Sequence, residues 1–284
     1  RIRAWGVDEA SASDLMVRAK RSAGLPGAWS AGVGSAGPGR DDRRGPQGRG
    51  PVVMLDIGGR DAVLKRHARG GLFGRLCRVL SPDAPAIYLG HGRLARLAEL
   101  THRFEARGGR TPRFLGWIEV RRRGPFRSHY SATERVPGAE PLPVALSGEP
   151  ARRREALAHL ASHLAAWHQA GLRHPDLNSG NILRSRGPDS SIWVIDLDRS
   201  RLGRNVGAAA RARMLARLFR SLAHQKLEPG RRESLRLASL YARERVLLEG
   251  LPHVRRRSLA RTLLRGLAWR RQLFVVHGLP RARG

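Results

Sequence analysis

The segment His174-Pro175-Asp176-Leu177-Asn178-Ser179-Gly180-Asn181-Ile182-Leu183 constrains this chain more than any other. The aliphatic run Ile192-Trp193-Val194-Ile195 follows it and ends on Asp196. Ahead of it, Leu157, Leu160, Leu164 and Trp167 recur every three or four residues, which predicts a helix from 151 onward with a buried stripe. Gly171 is placed to cap that helix. Pro, Asn and Gly break the helical pattern and predict a turn-rich loop, and the aliphatic run reads as a short buried strand. A carboxylate at the mouth of a buried strand is costly unless a partner neutralises it, so Asp196 needs a cation.

Upstream, the pattern is one of strands. Val52–Ile57 and Asp61–Lys65 flank Gly58-Gly59 and predict a hairpin. Phe114–Val120 and Tyr130–Val136 predict two more strands, the second running into Pro137-Gly138 as a hinge between lobes. Residues 92–107 predict a helix with Leu94, Leu97, Leu100 and Phe104 on one side. Later helices are expected at about 208–224, 232–249 and 255–276, with Gly or Pro between them. Strands first and helices afterwards predict an α+β fold, with a β-rich N-terminal lobe at 48–137 and a helical C-terminal lobe at 138–284. Residues 1–47 form a Gly/Pro/Arg-rich segment expected to be a mobile arm. Within it, Gly32-Val33-Gly34-Ser35-Ala36-Gly37 matches G-x-G-x-x-G in letters only, since no strand precedes it and no helix follows.

The 284 residues carry a formal net charge of +31, most of it from Arg. Three partners suit such a charge: nucleic acid, an anionic membrane surface or a phosphorylated substrate. Compositional bias toward Arg, Ala and Gly is the plain alternative. Nucleic-acid binding is not expected, because no aromatic-rich RNA-binding motif and no zinc-finger spacing accompanies the charge. Cys77 is the single cysteine, which excludes an intrachain disulfide and suits a reducing compartment. With no apolar run of membrane-spanning length and no secretory h-region, the expectation is a cytosolic protein that touches a membrane from the cytoplasmic side. His159 and His163 are spaced i, i+4 but lack an H-E-x-x-H pattern and a third ligand, so a helix surface is expected for them.

H-x-D-x-x-x-x-N followed by a strand ending in Asp is the layout of a kinase catalytic loop and the metal-binding Asp beyond it. Asp176 is then the catalytic residue that orients a substrate hydroxyl and takes its proton late. Asn181 and Asp196 are the candidate Mg²⁺ ligands, and ATP is the phosphoryl donor. The hairpin ending in Val63-Leu64-Lys65 matches the V-A-I-K strand whose Lys contacts nucleotide phosphates. Glu99 is placed to pair with Lys65, with Glu105 as its competitor. Backbone groups of Glu134 and Val136 are assigned to the adenine ring. His174 is expected to buttress the loop. Asp198 is either a second metal ligand or an anchor for Arg199 or Arg201, with the structural role favoured.

Four stretches resemble the bacterial 3-deoxy-D-manno-octulosonic acid (Kdo) kinases. Val63-Leu64-Lys65-Arg66-His67-Ala68-Arg69-Gly70-Gly71-Leu72 is similar to their V-L-R-H-Y-R-R-G-G-L, and His174 to Leu183 to their H-x-D-L-N-x-x-N-I-L. Ile195-Asp196-Leu197-Asp198-Arg199 is similar to I-D-F-D-R, and Thr133 to Ala139 to T-E-R-(I/L)-P-G-A. The resemblance spans about 48 to 225. It implies a two-lobed, protein-kinase-like fold and ATP-dependent phosphorylation of a Kdo hydroxyl on a lipid A precursor, by a peripheral enzyme at the cytoplasmic side of the bacterial inner membrane. It also assigns Asp176 to the active site, Asn181 and Asp196 to the metal, Lys65 to phosphate, and Gly48 and Gly50 to a short glycine loop over the nucleotide. Arg66, Arg69, Arg75 and Arg78 are one candidate lipid-facing cluster; Arg255, Arg256, Arg257 and Arg261 are another. The competing readings are another small-molecule kinase acting on a sugar or aminoglycoside, and a basic nucleic-acid-binding protein or pseudokinase. The strong positive charge argues against an aminoglycoside, whose cationic groups select acidic pockets.

Overall fold

The computed structural model describes residues 2–5, 52–57, 59–67, 92–121, 127–186 and 190–249. Several expectations lie outside the described residues: Gly48 and Gly50, the glycines of 32–37, Cys77, Arg69, Arg75, Arg78, the helix at 255–276 and its arginines, and the side chain of Arg66. The chain divides into two compact units, Arg1–Glu99 with Pro112–Arg135, and Leu100–Thr111 with Val136–Gly284. A single cut near 137 was expected; instead Leu100–Thr111 groups with the second unit.

The first unit is built on an antiparallel sheet. Its strands are β1 (Ile2–Trp5), β2 (Val52–Asp56), β3 (Asp61–His67), β4 (Phe114–Arg121) and β5 (Arg127–Glu134), in the order β1-β4-β5-β3-β2; the expectation of a mobile arm over 1–47 is corrected at Ile2–Trp5, whose backbone pairs antiparallel with β4. The β2–β3 hairpin turns between Ile57 and Arg60, whose backbones bond each other. Gly59 takes φ +75°, which glycine adopts without penalty, and its N–H donates to Asp56 Oδ1 at 3.0 Å. Ala62, Leu64, Ile118, Tyr130 and Ala132 are buried in this sheet, and on β5 His129 and Ser131 between and beside them are buried too, so that strand is covered on both faces. Lys65 lies in β3 opposite Val52 and Ser131. A bulge between Phe114 and Gly116 shifts the β4–β5 register, a detail that period-two alternation alone does not reveal. Helix α1 (Gly92–Glu105) carries Leu94 and Phe104 fully buried, with Glu99 exposed.

In the second unit, strand β6 (Glu140–Pro141) leads into a short helix α2 (Leu142–Leu146) and then α3 (Pro150–Gln169). All four residues of the expected stripe on α3, Leu157, Leu160, Leu164 and Trp167, are buried. Each contributes roughly 1.5–3 kcal/mol relative to exposure. Gly171 ends the helix at φ +86°, with its N–H donating to the His168 carbonyl at 3.2 Å. Then follow β7 (Leu172–Arg173), a 3₁₀ turn at Ser179–Asn181, β8 (Ile182–Arg184), β9 (Ile192–Val194), a 3₁₀ turn at Leu197–Arg199, and β10 (Arg201–Leu202). β8 lies between β6 and β9, and β7 pairs with β10. Helices α4 (Ala208–Ala223) and α5 (Arg231–Glu249) complete the described chain. No described helix is long and apolar enough to cross a membrane.

The expectation of a surface position for His163 is corrected. Its ring stands edge-on to Trp167, its Nδ1 meets the His159 carbonyl at 2.8 Å, and it is half-buried beneath the backbone of Ile192. Strand β9 crosses this face of α3 and covers it, which helical periodicity cannot foresee.

Candidate active site

Three of the residues singled out in the sequence, His174, Asp176 and Asn181, are tied together in the second unit, and Asp196 follows directly on a backbone they hold. His174 is 1% exposed and bridges two segments. Its Nδ1 accepts the Asp176 backbone N–H at 3.3 Å, and its Nε2 donates to the Ile195 carbonyl at 3.2 Å. That bonding pattern requires a neutral ring protonated on Nε2. Burial holds the imidazole below its usual value, against the opposing pull of the Ile195 carbonyl, Asp196 and Asp176. The buttress role expected for His174 is what these bonds describe. The Met214 sulfur accepts its backbone N–H from α4 at 3.1 Å.

Asn181 closes the loop. Its Nδ2 donates to the Asp176 carbonyl at 2.8 Å, and its own carbonyl accepts the Ile195 N–H at 2.9 Å. The side chain is fully buried, and its Oδ1 has no hydrogen-bond partner among the described residues. A buried amide oxygen left unpaired is costly. A metal ion satisfies such an oxygen without adding charge beside phosphates, so Asn181 fits the ligand role chemically. Asp196, one residue beyond Ile195, adopts φ 64°, ψ 50°. Non-glycine residues visit this left-handed region at a cost of about 1 kcal/mol or more, and such residues cluster at functional positions. No group of three or more His, Cys, Asp or Glu able to hold a metal exists among the described residues. Asn181 and Asp196 thus offer one neutral oxygen and one carboxylate, a donor set that would suit a hard divalent cation.

Asp176 is half-buried, with its side chain 41% exposed. Its Oδ1 accepts from Arg217 Nε of α4 at 2.8 Å and lies 2.5 Å from Nη2 of the same guanidinium in an ion pair. Asn178 Nδ2 lies 3.3 Å from the same oxygen, while Asn178 Oδ1 accepts the Gly180 N–H at 3.0 Å. One carboxylate oxygen is thereby fixed, and these side-chain bonds all fall on that oxygen. Deeper in the loop, Ser179 Oγ meets Ser221 Oγ at 2.7 Å and accepts from Gln225 at 2.9 Å. Arg217, Ser221, Gln225 and the capping role of Asn178 were not anticipated. Only Asn178 had a sequence signal, since Asn before Ser-Gly favours a local side-chain turn. The others reach the loop across 41 or more positions of chain, beyond any local pattern.

Lys65, Glu99 and Glu134 belong to the first unit. Glu134 N–H donates to the Arg113 carbonyl at 2.9 Å. In the second unit, the Val136 carbonyl accepts the Ala139 N–H at 3.3 Å, and the Val136 N–H has no partner among the described residues. Asp198 sits half-buried in the 3₁₀ turn after Asp196.

Comparison with known proteins identifies the family. The lipopolysaccharide kinase (Kdo/WaaP) family model matches residues 42–241. A 3-deoxy-D-manno-octulosonic acid kinase of Xylella fastidiosa (strain M12) is 30% identical over 177 residues, covering 62% of this chain and 67% of that one. Another, of Xanthomonas oryzae pv. oryzae (strain PXO99A), is 34% identical over 179 residues with the same coverages. Among solved structures, WaaP in complex with acyl carrier protein matches with a TM-score of 0.53 at 20% identity, over 80% of this chain and 84% of that one; it shares the kinase-like α+β fold. With its loop and its match over most of its length, the chain belongs to the lipopolysaccharide kinase (Kdo/WaaP) family and is a phosphotransferase.

Proposed function

We propose that this enzyme transfers the terminal phosphoryl group of ATP to a hydroxyl of a Kdo sugar on a lipid A precursor, at the cytoplasmic side of the bacterial inner membrane. One observation carries the catalytic part: Asn181 keeps its buried Oδ1 unpaired while its Nδ2 is locked onto the Asp176 carbonyl. That lock sets a metal ligand and the catalytic residue in one rigid turn.

Asp176 Oδ2 has no partner among the described residues. It accepts the hydrogen bond of the acceptor hydroxyl and aims that oxygen for attack. As the new O–P bond forms and the terminal anhydride P–O bond of the donor breaks, Asp176 takes the hydroxyl proton and later releases it to water. Asn181 and Asp196 are the residues that would hold Mg²⁺, which would supply positive charge to offset that of the phosphates. Lys65 is the phosphate contact, and the Val136 N–H, with Glu134 before it, serves the adenine ring. Glu99, in the same unit, remains the candidate partner of Lys65.

The test is incubation of the purified protein with ATP, Mg²⁺ and Kdo-lipid A, read by mass for one added phosphate. Free sugars and an aminoglycoside run in parallel. Phosphate appearing only on the aminoglycoside or only on free sugars would overturn the acceptor assignment. Absence of transfer to every acceptor would overturn the activity.

A further inference from the structure

Arg217 occupies a boundary on α4. At about 100° per residue, Met214 and Ser221 lie within about 60° of it on one side, and both bond to the catalytic loop. Arg213 and Arg220 lie within about 60° of it on the other side, and both are exposed. The loop-facing stripe of the helix and a cationic ridge therefore meet at the residue that grips the catalytic carboxylate. Arg217 spends Nε and Nη2 on Asp176 Oδ1. Its Nη1 has no hydrogen-bond partner among the described residues, and its side chain is 51% exposed. An exposed ion pair contributes at most about 1 kcal/mol to stability, so stability does not account for a guanidinium here. Orientation does, because the pair fixes which oxygen of Asp176 faces solvent.

We infer that Arg217 is a positioning residue for Asp176, and that with Arg213 and Arg220 it forms a ridge taking an oxyanion of the acceptor. This rests on the phosphotransfer reading above and adds what the acceptor must carry: a carboxylate or phosphate near the hydroxyl that reacts. Guanidinium groups favour such planar or multidentate oxyanions. A neutral or cationic acceptor gains nothing from the ridge. The two sources of the oxyanion, the sugar carboxylate and the lipid phosphates, share one chemistry and are separable by experiment.

Three acceptors decide the matter: Kdo-lipid A, its carboxylate methyl ester, and the form stripped of lipid phosphates. Each is assayed for steady-state transfer and for binding without nucleotide, with wild type, R213A, R217A and R217K. R217A lowers kcat by about tenfold or more, and R217K recovers part of it, because charge returns without the two-donor grip. R213A raises KM about fivefold with kcat within twofold, the loss of one partly exposed charged contact. The acceptor whose missing anion imposes no further KM penalty on R213A carried the oxyanion. Unchanged KM in R213A, or fully additive penalties for both altered acceptors, overturns the ridge. Binding that depends on the anion and on Arg213, without transfer by wild type, upholds the ridge and refutes the catalytic reading. Binding indifferent to the anion refutes the ridge whatever the turnover.

Discussion

Replacing His174 with Phe keeps a flat ring in a site that is 1% exposed, so little volume changes, but both ring hydrogen bonds disappear. The Asp176 N–H and the Ile195 carbonyl then have no ring partner, in a pocket that water enters poorly. Each bond contributes about 1 kcal/mol net, and each stranded group costs about 1–3 kcal/mol. Both bonds are long, at 3.3 and 3.2 Å, which favours the low end: a total of about 2–3 kcal/mol. With a urea m-value of about 2 kcal/mol/M, the midpoint falls by roughly 1 M. Native-state hydrogen exchange reads the same event locally, and the Asp176 amide should lose protection. kcat should fall more than KM rises, since the ring holds together the segments bearing Asp176 and Asp196 but is not expected to touch substrate. A midpoint shift equivalent to less than about 0.5 kcal/mol, with unchanged protection at Asp176, would refute the bridging argument.

Other perturbations test other parts of the chain. Gly171→Ala should destabilise by about 2 kcal/mol or more, because φ is +86° and the new Cβ would lie 2.0 Å from the Gly203 carbonyl oxygen; a thermal melt within experimental error of wild type would contradict this. Asp176→Ala should abolish transfer while nucleotide binding persists, and wild-type turnover in that variant would refute its role. Asp196→Asn should weaken Mg²⁺-dependent ATP binding, and an unaltered magnesium titration would count against it. Burial, then Arg211 and Arg245, hold the His168 imidazole down to about 3. The folded value lies below the unfolded one, so between about 6.5 and 3 the unfolded chain binds the extra proton. Stability should therefore fall with pH across that window, at up to about 1.4 kcal/mol per pH unit. His168→Gln should flatten the slope by one proton in urea midpoints measured at pH 7, 6 and 5; an identical slope would show that His168 does not titrate this way.

The parts legible in the sequence are those with a local period or a local motif. The stripe from Leu157 to Trp167, the left-handed cap at Gly171 and the hairpin before Lys65 each follow from a few neighbouring residues, and the structure carries all three. His174, Asp176, Asn181 and Asp196 were legible as a set because the loop and the strand beyond it are contiguous. Arg217 and Ser221 were not, since on α4 they look like an ordinary exposed arginine and an ordinary helical serine; only the folded chain brings them to the loop. His163 was misread for a similar reason, because β9 covers it from elsewhere in the sequence. Leu100–Thr111 reads in sequence as part of the strand-rich half, yet Arg107 bonds the carbonyls of Ala170 and Gly203, and Arg110 bonds Ser191.

The backbone at Asp196 narrows what its position can ever hold. A left-handed residue there excludes Val, Ile and Thr on steric grounds alone, before any metal is considered. Asn and Gly are the tolerated exchanges, and of these only Asn keeps an oxygen. Drift at this position therefore passes through variants that preserve the turn and surrender the charge, so an inactive descendant of this enzyme would be expected to stay folded and keep its shape.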